Sequence, residues 1–137
     1  LIHNKSSRKT WLSNIHLKAG LRSKEEERIN QIKSTFKSLK VTKESKIPCI
    51  IIGDFNDDLQ KTRKLKPLIE NNGFICKSPS YTTCYIEHGR VNKFWKFDHV
   101  LLTPDVKIEY INIPKMRIVP DKDNPSDHFM INFLIQM

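Results

Sequence analysis

Hydrophobic and polar positions alternate through residues 10–17 (Thr-Trp-Leu-Ser-Asn-Ile-His-Leu) with a period near two, which predicts a β-strand. Ser23 then opens Ser-Lys-Glu-Glu, a capping-box pattern with Glu26 three residues beyond the cap. Glu25, Glu26 and Glu27 fall in the first turn of the expected helix, where its dipole favours negative charge. Ile29, Ile32, Phe36 and Leu39 follow at steps of three and four, the apolar stripe of an amphipathic helix over 24–39. Residues 48–53 (Pro-Cys-Ile-Ile-Ile-Gly) are apolar and β-branched without interruption, the pattern of a short strand covered on both faces. A second helix is predicted over 64–72, with Pro67 in its first turn and Gly73 closing it. Further strands are predicted over 81–86, 94–102, 106–113 and 128–135. Strand, helix, strand, helix and then several strands implies a mixed α/β (α+β) arrangement in layers.

Length and composition narrow this picture. At 137 residues, with no repeat and no Gly/Ser-rich linker, the chain is one domain or part of one. No apolar run reaches the roughly 18–20 residues that a membrane-spanning helix requires. The opening Leu-Ile-His-Asn-Lys resembles neither a signal peptide nor a start, so truncation at the N-terminus is expected. Cys49, Cys76 and Cys84 are odd in number and lack a C-x-x-C spacing, which implies reduced thiols rather than a disulfide framework or a zinc knuckle. The net charge of +9 suits a phosphate-bearing partner, but basic residues are abundant throughout and charge alone identifies nothing.

Three short segments put acidic or imidazole groups where strands run out: Asn14-Ile15-His16-Leu17, Gly53-Asp54-Phe55-Asn56 and Ser126-Asp127-His128. Strand ends are where open α/β sheets usually carry their sites. Each segment also has a purely structural reading. Asp54 and Asn56 are turn formers, Ser126-Asp127 follows Pro125, and His16 is a candidate core histidine. Asp98, inside Phe94-Trp95-Lys96-Phe97-Asp98-His99-Val100, is harder to dismiss, because a carboxylate among apolar side chains needs a partner. An imidazolium is an obvious one.

In this order, N-x-H-L, G-D-F-N, an aromatic-flanked Asp and S-D-H before a closing strand, the segments resemble the endonuclease/exonuclease/phosphatase superfamily. Its members are metal-dependent phosphoesterases, among them deoxyribonuclease I, abasic-site endonucleases, neutral sphingomyelinases, inositol polyphosphate phosphatases and poly(A)-shortening deadenylases. Within it, His16-Leu17-Lys18-Ala19, Pro79-Ser80-Tyr81-Thr82-Thr83 and Asn124-Pro125-Ser126-Asp127-His128 are most similar to the carbon-catabolite-repression-type deadenylase and nocturnin branch. Phe97-Asp98-His99-Val100 departs from that branch's usual L/I-D-Y-I.

The resemblance implies a four-layer α/β/β/α sandwich of the deoxyribonuclease I-like type and hydrolysis of phosphate esters with Mg²⁺ or Mn²⁺. Carried over by residue, Asp54 orients or deprotonates the attacking water. Asn56 donates to a phosphoryl oxygen and helps hold the metal, and Asp127 lies near that metal. His128, oriented by Asp98, contacts the scissile phosphate, as does His16. Asn14 and Lys18, flanking His16, are expected to bind substrate. The superfamily's main metal ligand is a Glu in an early Q-E motif, whereas the 13 residues before Asn14 contain no Glu. The expectation is therefore the C-terminal portion (1–137) of a larger domain, with that Glu upstream of Leu1 and the fragment inactive alone.

The function so implied is a 3′-to-5′ exoribonuclease, a deadenylase acting on poly(A) RNA, intracellular in the cytoplasm or nucleus, with deadenylation-complex proteins as possible partners. Two alternatives stand beside it. One is another phosphoesterase of the superfamily, acting on abasic DNA, sphingomyelin or phosphoinositides. The other is a non-catalytic half-domain binding nucleic acid through Lys61, Arg63, Lys64 and Lys66, with Tyr81, Phe94 and Trp95 stacking bases.

Overall fold

The computed structural model describes residues 2–3, 8–20, 22–39, 46–88, 91–111, 120–123 and 125–136. In chain order these form β1 (Ile2–His3), β2 (Arg8–Lys9), β3 (Trp11–His16), a 3₁₀ turn (Arg22–Lys24) and α1 (Glu25–Ser38). There follow β4 (Cys49–Asp54), α2 (Leu65–Asn71), β5 (Ile75–Lys77), β6 (Cys84–His88), β7 (Val91–Trp95), β8 (Asp98–Leu102), β9 (Lys107–Ile111) and β10 (Asn132–Gln136). No helix among the described residues is long and apolar enough to cross a membrane.

The central sheet has the order β3-β4-β8-β5. β3 and β4 run parallel, joined through α1, while β8 lies antiparallel to both β4 and β5. Alternation along β4 and β8 decides which side chain enters which layer. Cys49, Ile51 and Leu101 point to one face, where Ile29, Ile32 and Phe36 of α1 and Leu65 and Ile69 of α2 cover them. Phe36 stacks on Phe74 there with ring centroids 5.0 Å apart. Ile50, Val100 and Leu102 point to the opposite face, against Val106 and against Ile108, Tyr110 and Phe133 of the β9–β10 pair. Each such side chain contributes roughly 1.5–3 kcal/mol by leaving water. The uninterrupted Ile50-Ile51-Ile52 run is thus explained: β4 is an inner strand with helices on one side and a second strand layer on the other. Helices, sheet and strand pair stack as α/β/β, a mixed α+β sandwich.

Several predicted boundaries shift for identifiable reasons. The capping box does not form. Ser23 lies inside the 3₁₀ turn, and the N-cap of α1 is Lys24, which makes no side-chain cap bond. Glu26 instead accepts from Lys64 Nζ at 2.6 Å, and Glu25 accepts from the Lys64 backbone N–H at 3.2 Å, so these carboxylates join the starts of the two helices. The single strand expected over 94–102 is two, β7 and β8, because the chain changes sheets at Lys96-Phe97. The break is held by Thr83, whose Oγ1 accepts from the backbone N–H groups of Phe97 and Asp98, each at 3.0 Å. The strand expected over 81–86 begins at Cys84, and β9 ends at Ile111, with residues 112–113 outside the described set. His128 makes only an isolated bridge, to Cys84, and β10 starts four residues later at Asn132. β5 was not predicted, since Ile75-Cys76-Lys77 is too short to show a period.

Candidate active site

Strand register brings the first three groups together. His16 ends β3 opposite Asp54, which ends β4, and Asp54 stands opposite Asp98, which begins β8. The three side chains therefore form one row across adjacent strands, on the face that looks toward the β9–β10 layer. His16 Nε2 lies 3.4 Å from Asp54 Oδ2. Gly53 makes this row possible. Its φ is +141°, and a Cβ there would sit 1.9 Å from the Ile15 carbonyl oxygen, so only glycine fits between β3 and β4.

Past Gly53 the chain turns sharply at Asn56, which has a left-handed φ of 50°. The Asn56 backbone N–H donates to Asp54 Oδ1 at 2.7 Å, an Asx-type turn. Its Nδ2 donates to Asp54 Oδ2 and to the Leu17 carbonyl, each at 3.0 Å. Asp54-Phe55-Asn56 is thus a turn former, and the same turn aims the carboxylate.

The fourth group arrives from far along the chain. Tyr85 donates its N–H to the Asp127 carbonyl and Phe129 donates to the Thr83 carbonyl, each at 2.8 Å, which clamps His128 against β6. His128 Nδ1 donates to Asp98 Oδ2 at 2.8 Å, and its Nε2 lies 3.6 Å from Asp54 Oδ2. The Asp98 hydrogen bond, helped by Cys84, pushes His128 up to about 11, so the ring is an imidazolium at neutral pH. Burial raises Asp54 above the usual carboxylate range, and the charge of Asp98 adds to this. The Asn56 backbone N–H and the two imidazoles oppose the shift.

Behind this cluster is a buried support that the sequence reading missed. Arg28 of α1, 1% exposed, donates Nη2 to Asp57 at 2.7 Å and Nη1 to the carbonyls of Lys18 and Gly20. It joins the segment after β3 to the segment after β4. The available signal was helical phase: Arg28 stands four residues before Ile32 and eight before Phe36, on the buried stripe. His99 is fully buried on the other side of β8. Its Nδ1 meets Ser78 Oγ at 2.7 Å and its Nε2 meets the Asp57 carbonyl at 2.9 Å, and burial lowers its proton affinity. The carbonyl accepts the Nε2 proton, so a neutral ring accepts from Ser78.

Of the residues singled out from sequence, the structure gathers Asp54, Asn56, Asp98, His128 and His16. Asn14 sits two residues before His16 on the same face of β3, exposed. Lys18 is tied through its backbone to α1, its N–H donating to Gln31 Oε1 at 2.8 Å, and its side chain is exposed. Asp127 is exposed beside His128, and Asn124 lies outside the described residues. Magnesium takes oxygen ligands in near-octahedral geometry. The Asp54 carboxylate accepts from Asn56 at both oxygens and has the two imidazole Nε2 atoms 3.4 and 3.6 Å away. Among the described residues, the one trio of thiol, imidazole or carboxylate donors within 4.8 Å of one another is Cys84, Asp127 and His128. The oxygen donors Asp54, Asn56 and Asp127 do not by themselves enclose a magnesium ion.

No protein-family model and no curated protein matches this sequence. Solved structures do match in fold. A mannosyl-6-phosphatase of Bacteroides thetaiotaomicron superposes with a TM-score of 0.66 at 15% identity, over 99% of this chain and 54% of that one. TDP2 of D. rerio, in complex with a single-strand DNA product, gives 0.65 at 16%, over 96% and 58%. The human nocturnin catalytic domain with bound sulfate gives 0.61 at 18%, over 98% and 50%. The chain has the deoxyribonuclease I-like fold of endonuclease/exonuclease/phosphatase structures and spans about half the length of these neighbours.

Proposed function

We propose that this chain carries one part of the active site of a phosphoester hydrolase of the endonuclease/exonuclease/phosphatase superfamily, as the C-terminal portion of its domain. The observation that carries the reading is the pair of imidazoles converging on Asp54, His16 from the end of β3 and His128 from the segment bridged to β6, with His128 fixed by Asp98. The separations of 3.4 and 3.6 Å exceed those of formed hydrogen bonds, so both ring N–H groups keep donor capacity for an incoming oxyanion.

In this reading a phosphoryl group enters between the two rings. The His128 imidazolium donates to a non-bridging oxygen and stabilises the charge that grows there in the transition state. Asp98 holds the ring's proton and orientation. Asp54, raised in proton affinity by burial, accepts the proton of the attacking water, an effect of roughly 10²–10⁴ in rate. Asn56 fixes that carboxylate; both of its Nδ2 protons are committed, to Asp54 Oδ2 and the Leu17 carbonyl, so the donation to a phosphoryl oxygen expected from the sequence is not available in this geometry. His16 and Asn14 on β3, and Lys18 just beyond it, contact the substrate. Divalent-metal dependence, Mg²⁺ or Mn²⁺, belongs to the same reading through the superfamily, with Asp127 and Asn56 contributing ligands.

The finer assignment is a 3′-to-5′ exoribonuclease acting on poly(A) RNA inside the cell, in the cytoplasm or nucleus. The H-L-K-A, P-x-Y-T-T and P-S-D-H segments and the fold shared with nocturnin support it. Likeness in fold to a mannosyl-6-phosphatase and to TDP2 in complex with a single-strand DNA product makes phosphomonoesters and single-stranded DNA the competing substrates. The test is a panel on the full-length protein: oligoadenylate, abasic duplex, single-stranded DNA, mannose 6-phosphate and a phosphocholine ester. Turnover of oligoadenylate, reduced at least about 100-fold in Asp54→Asn, is expected. Residual Asp54→Asn activity within about tenfold of wild type sinks the assignment.

A further inference from the structure

Cys84 touches no substrate in the chemistry just proposed, yet it lies beside His128, whose proton it helps to hold and on which that chemistry depends. Cys84 and His128 are bridge partners. The flanking bonds, Tyr85 N–H to Asp127 O and Phe129 N–H to Thr83 O, make them the non-hydrogen-bonded kind of antiparallel pair. In such pairs the two side chains approach most closely. The Cys84 thiol, a His128 ring nitrogen and an Asp127 carboxylate oxygen all lie within 4.8 Å of one another. Cys84 is buried, His128 half-buried and Asp127 exposed, so the trio runs from the interior to solvent.

This is the wrong donor set for magnesium and the right one for a softer cation. Thiolate with imidazole and carboxylate selects zinc-class ions, in tetrahedral sites whose fourth position is open to water. Bonds of about 2.0–2.3 Å place tetrahedral donors roughly 3.3–3.8 Å apart, so donors within 4.8 Å of one another need close by no more than about 1.5 Å. The exposed Asp127 side chain is able to supply that movement. Cys49 sits in the sealed apolar core, and Cys76 approaches Ser78 Oγ at 3.8 Å, so neither shares this setting.

We propose that Cys84, His128 and Asp127 form a zinc-class cation site whose occupation withdraws His128 from the Asp54–Asp98 cluster. On binding, Cys84 releases its thiol proton to solvent and His128 releases one ring proton, and the metal takes both lone pairs. His128 Nδ1 now serves Asp98 and Nε2 faces Asp54, so metal on either nitrogen removes one of those relationships. The loss of His128 as a phosphate donor rests on the proposed hydrolase reading; the site itself does not.

The experiment uses the full-length protein with its other ligands present, titrated with Cd²⁺ as a spectroscopic probe and with Zn²⁺. Wild type is expected to show a thiolate-to-cadmium charge-transfer band that saturates at one equivalent. Cys84→Ser is expected to lose that band, and Asp127→Asn, a change at an exposed residue, to bind at least about tenfold more weakly. Phosphoester hydrolysis is expected to fall about tenfold or more with one equivalent of Zn²⁺. In Cys84→Ser, measured against its own zinc-free rate, the fall is absent. A band of wild-type size in Cys84→Ser, equal affinity in Asp127→Asn, or no binding at micromolar metal overturns the site. If metal binds as described but no phosphoester is turned over, the hydrolase reading fails and the site stands.

Discussion

Asp98 Oδ2 accepts the Nδ1 proton of His128 at 2.8 Å, joining the first residue of β8 to a residue 30 positions later. That bond is the principal reason His128 is held as an imidazolium, at about 11. Replacing the carboxylate with the isosteric amide in Asp98→Asn keeps the shape but removes the charge. The proton then leaves His128 at a much lower pH, nearer the ordinary value of about 6.5. Wild-type hydrolysis is expected to hold from pH 7 to 9. The variant is expected to lose about tenfold or more over the same interval, read from initial rates. Superimposable profiles contradict the imidazolium role.

His99 makes the opposite kind of pH dependence. Its burial lowers the folded-state pKa below the ordinary 6.5, so above that value the ring is neutral in both states and contributes no slope. As pH falls below 6.5, the unfolded chain takes up a proton that the folded one refuses. Stability then drops by up to about 1.4 kcal/mol per pH unit until the folded pKa is reached. Urea midpoints between pH 7 and 5 measure this. His99→Gln, although less stable overall, is expected to lose that part of the slope.

How much of this was legible beforehand varies with the physics involved. The strand at Cys49–Asp54 and the helix at Glu25–Ser38 were readable because burial on two faces, or on one stripe, leaves a composition or a period. The turn chemistry of Asp54 and Asn56, and the need of Asp98 for a cationic partner, are local and were equally readable. The break between β7 and β8 was not, because it depends on the Thr83 hydroxyl, which reaches the backbone from 14 and 15 residues away. Nor was the failed capping box, whose Glu26 is taken by Lys64 at the N-cap of α2. The Cys84–Asp127–His128 trio is created by an isolated bridge that leaves no pattern in either segment.

Gly53→Ala tests the approach of β3 to β4. A methyl group 1.9 Å from the Ile15 carbonyl cannot be relieved by side-chain rotation, and a φ of +141° is strained for any L-residue. Strand separation is required, with a loss of more than about 3 kcal/mol in chemical denaturation. A loss below about 1 kcal/mol contradicts the pairing of Ile15 with Gly53.

Arg28→Met keeps the length and apolar stem but deletes the buried guanidinium. The carbonyls of Lys18 and Gly20 then lose a donor, and Asp57, 23% exposed, loses its ion-pair partner. Partial solvation of Asp57 softens the effect, so about 2–4 kcal/mol is expected from denaturant melts. Arg28→Lys is expected to recover only part of this, because one ammonium cannot span three acceptors in the guanidinium geometry.

The parallel pairing of β3 with β4, and the late arrival of the segment carrying His128, bear on when the site comes into being as the chain folds. Its groups sit at positions 16, 54, 98 and 128, on four segments with long intervening loops to close. Such non-local contacts form slowly, because chain closure must precede any stabilisation they bring. The β3–α1–β4 unit closes over one helical connection, whereas His128 bridges to Cys84 of the β6–β7 hairpin and so docks once that hairpin is there to receive it. Catalytic competence is therefore expected to appear in the last kinetic phase of refolding, after helical signal has returned and tryptophan fluorescence has begun to settle.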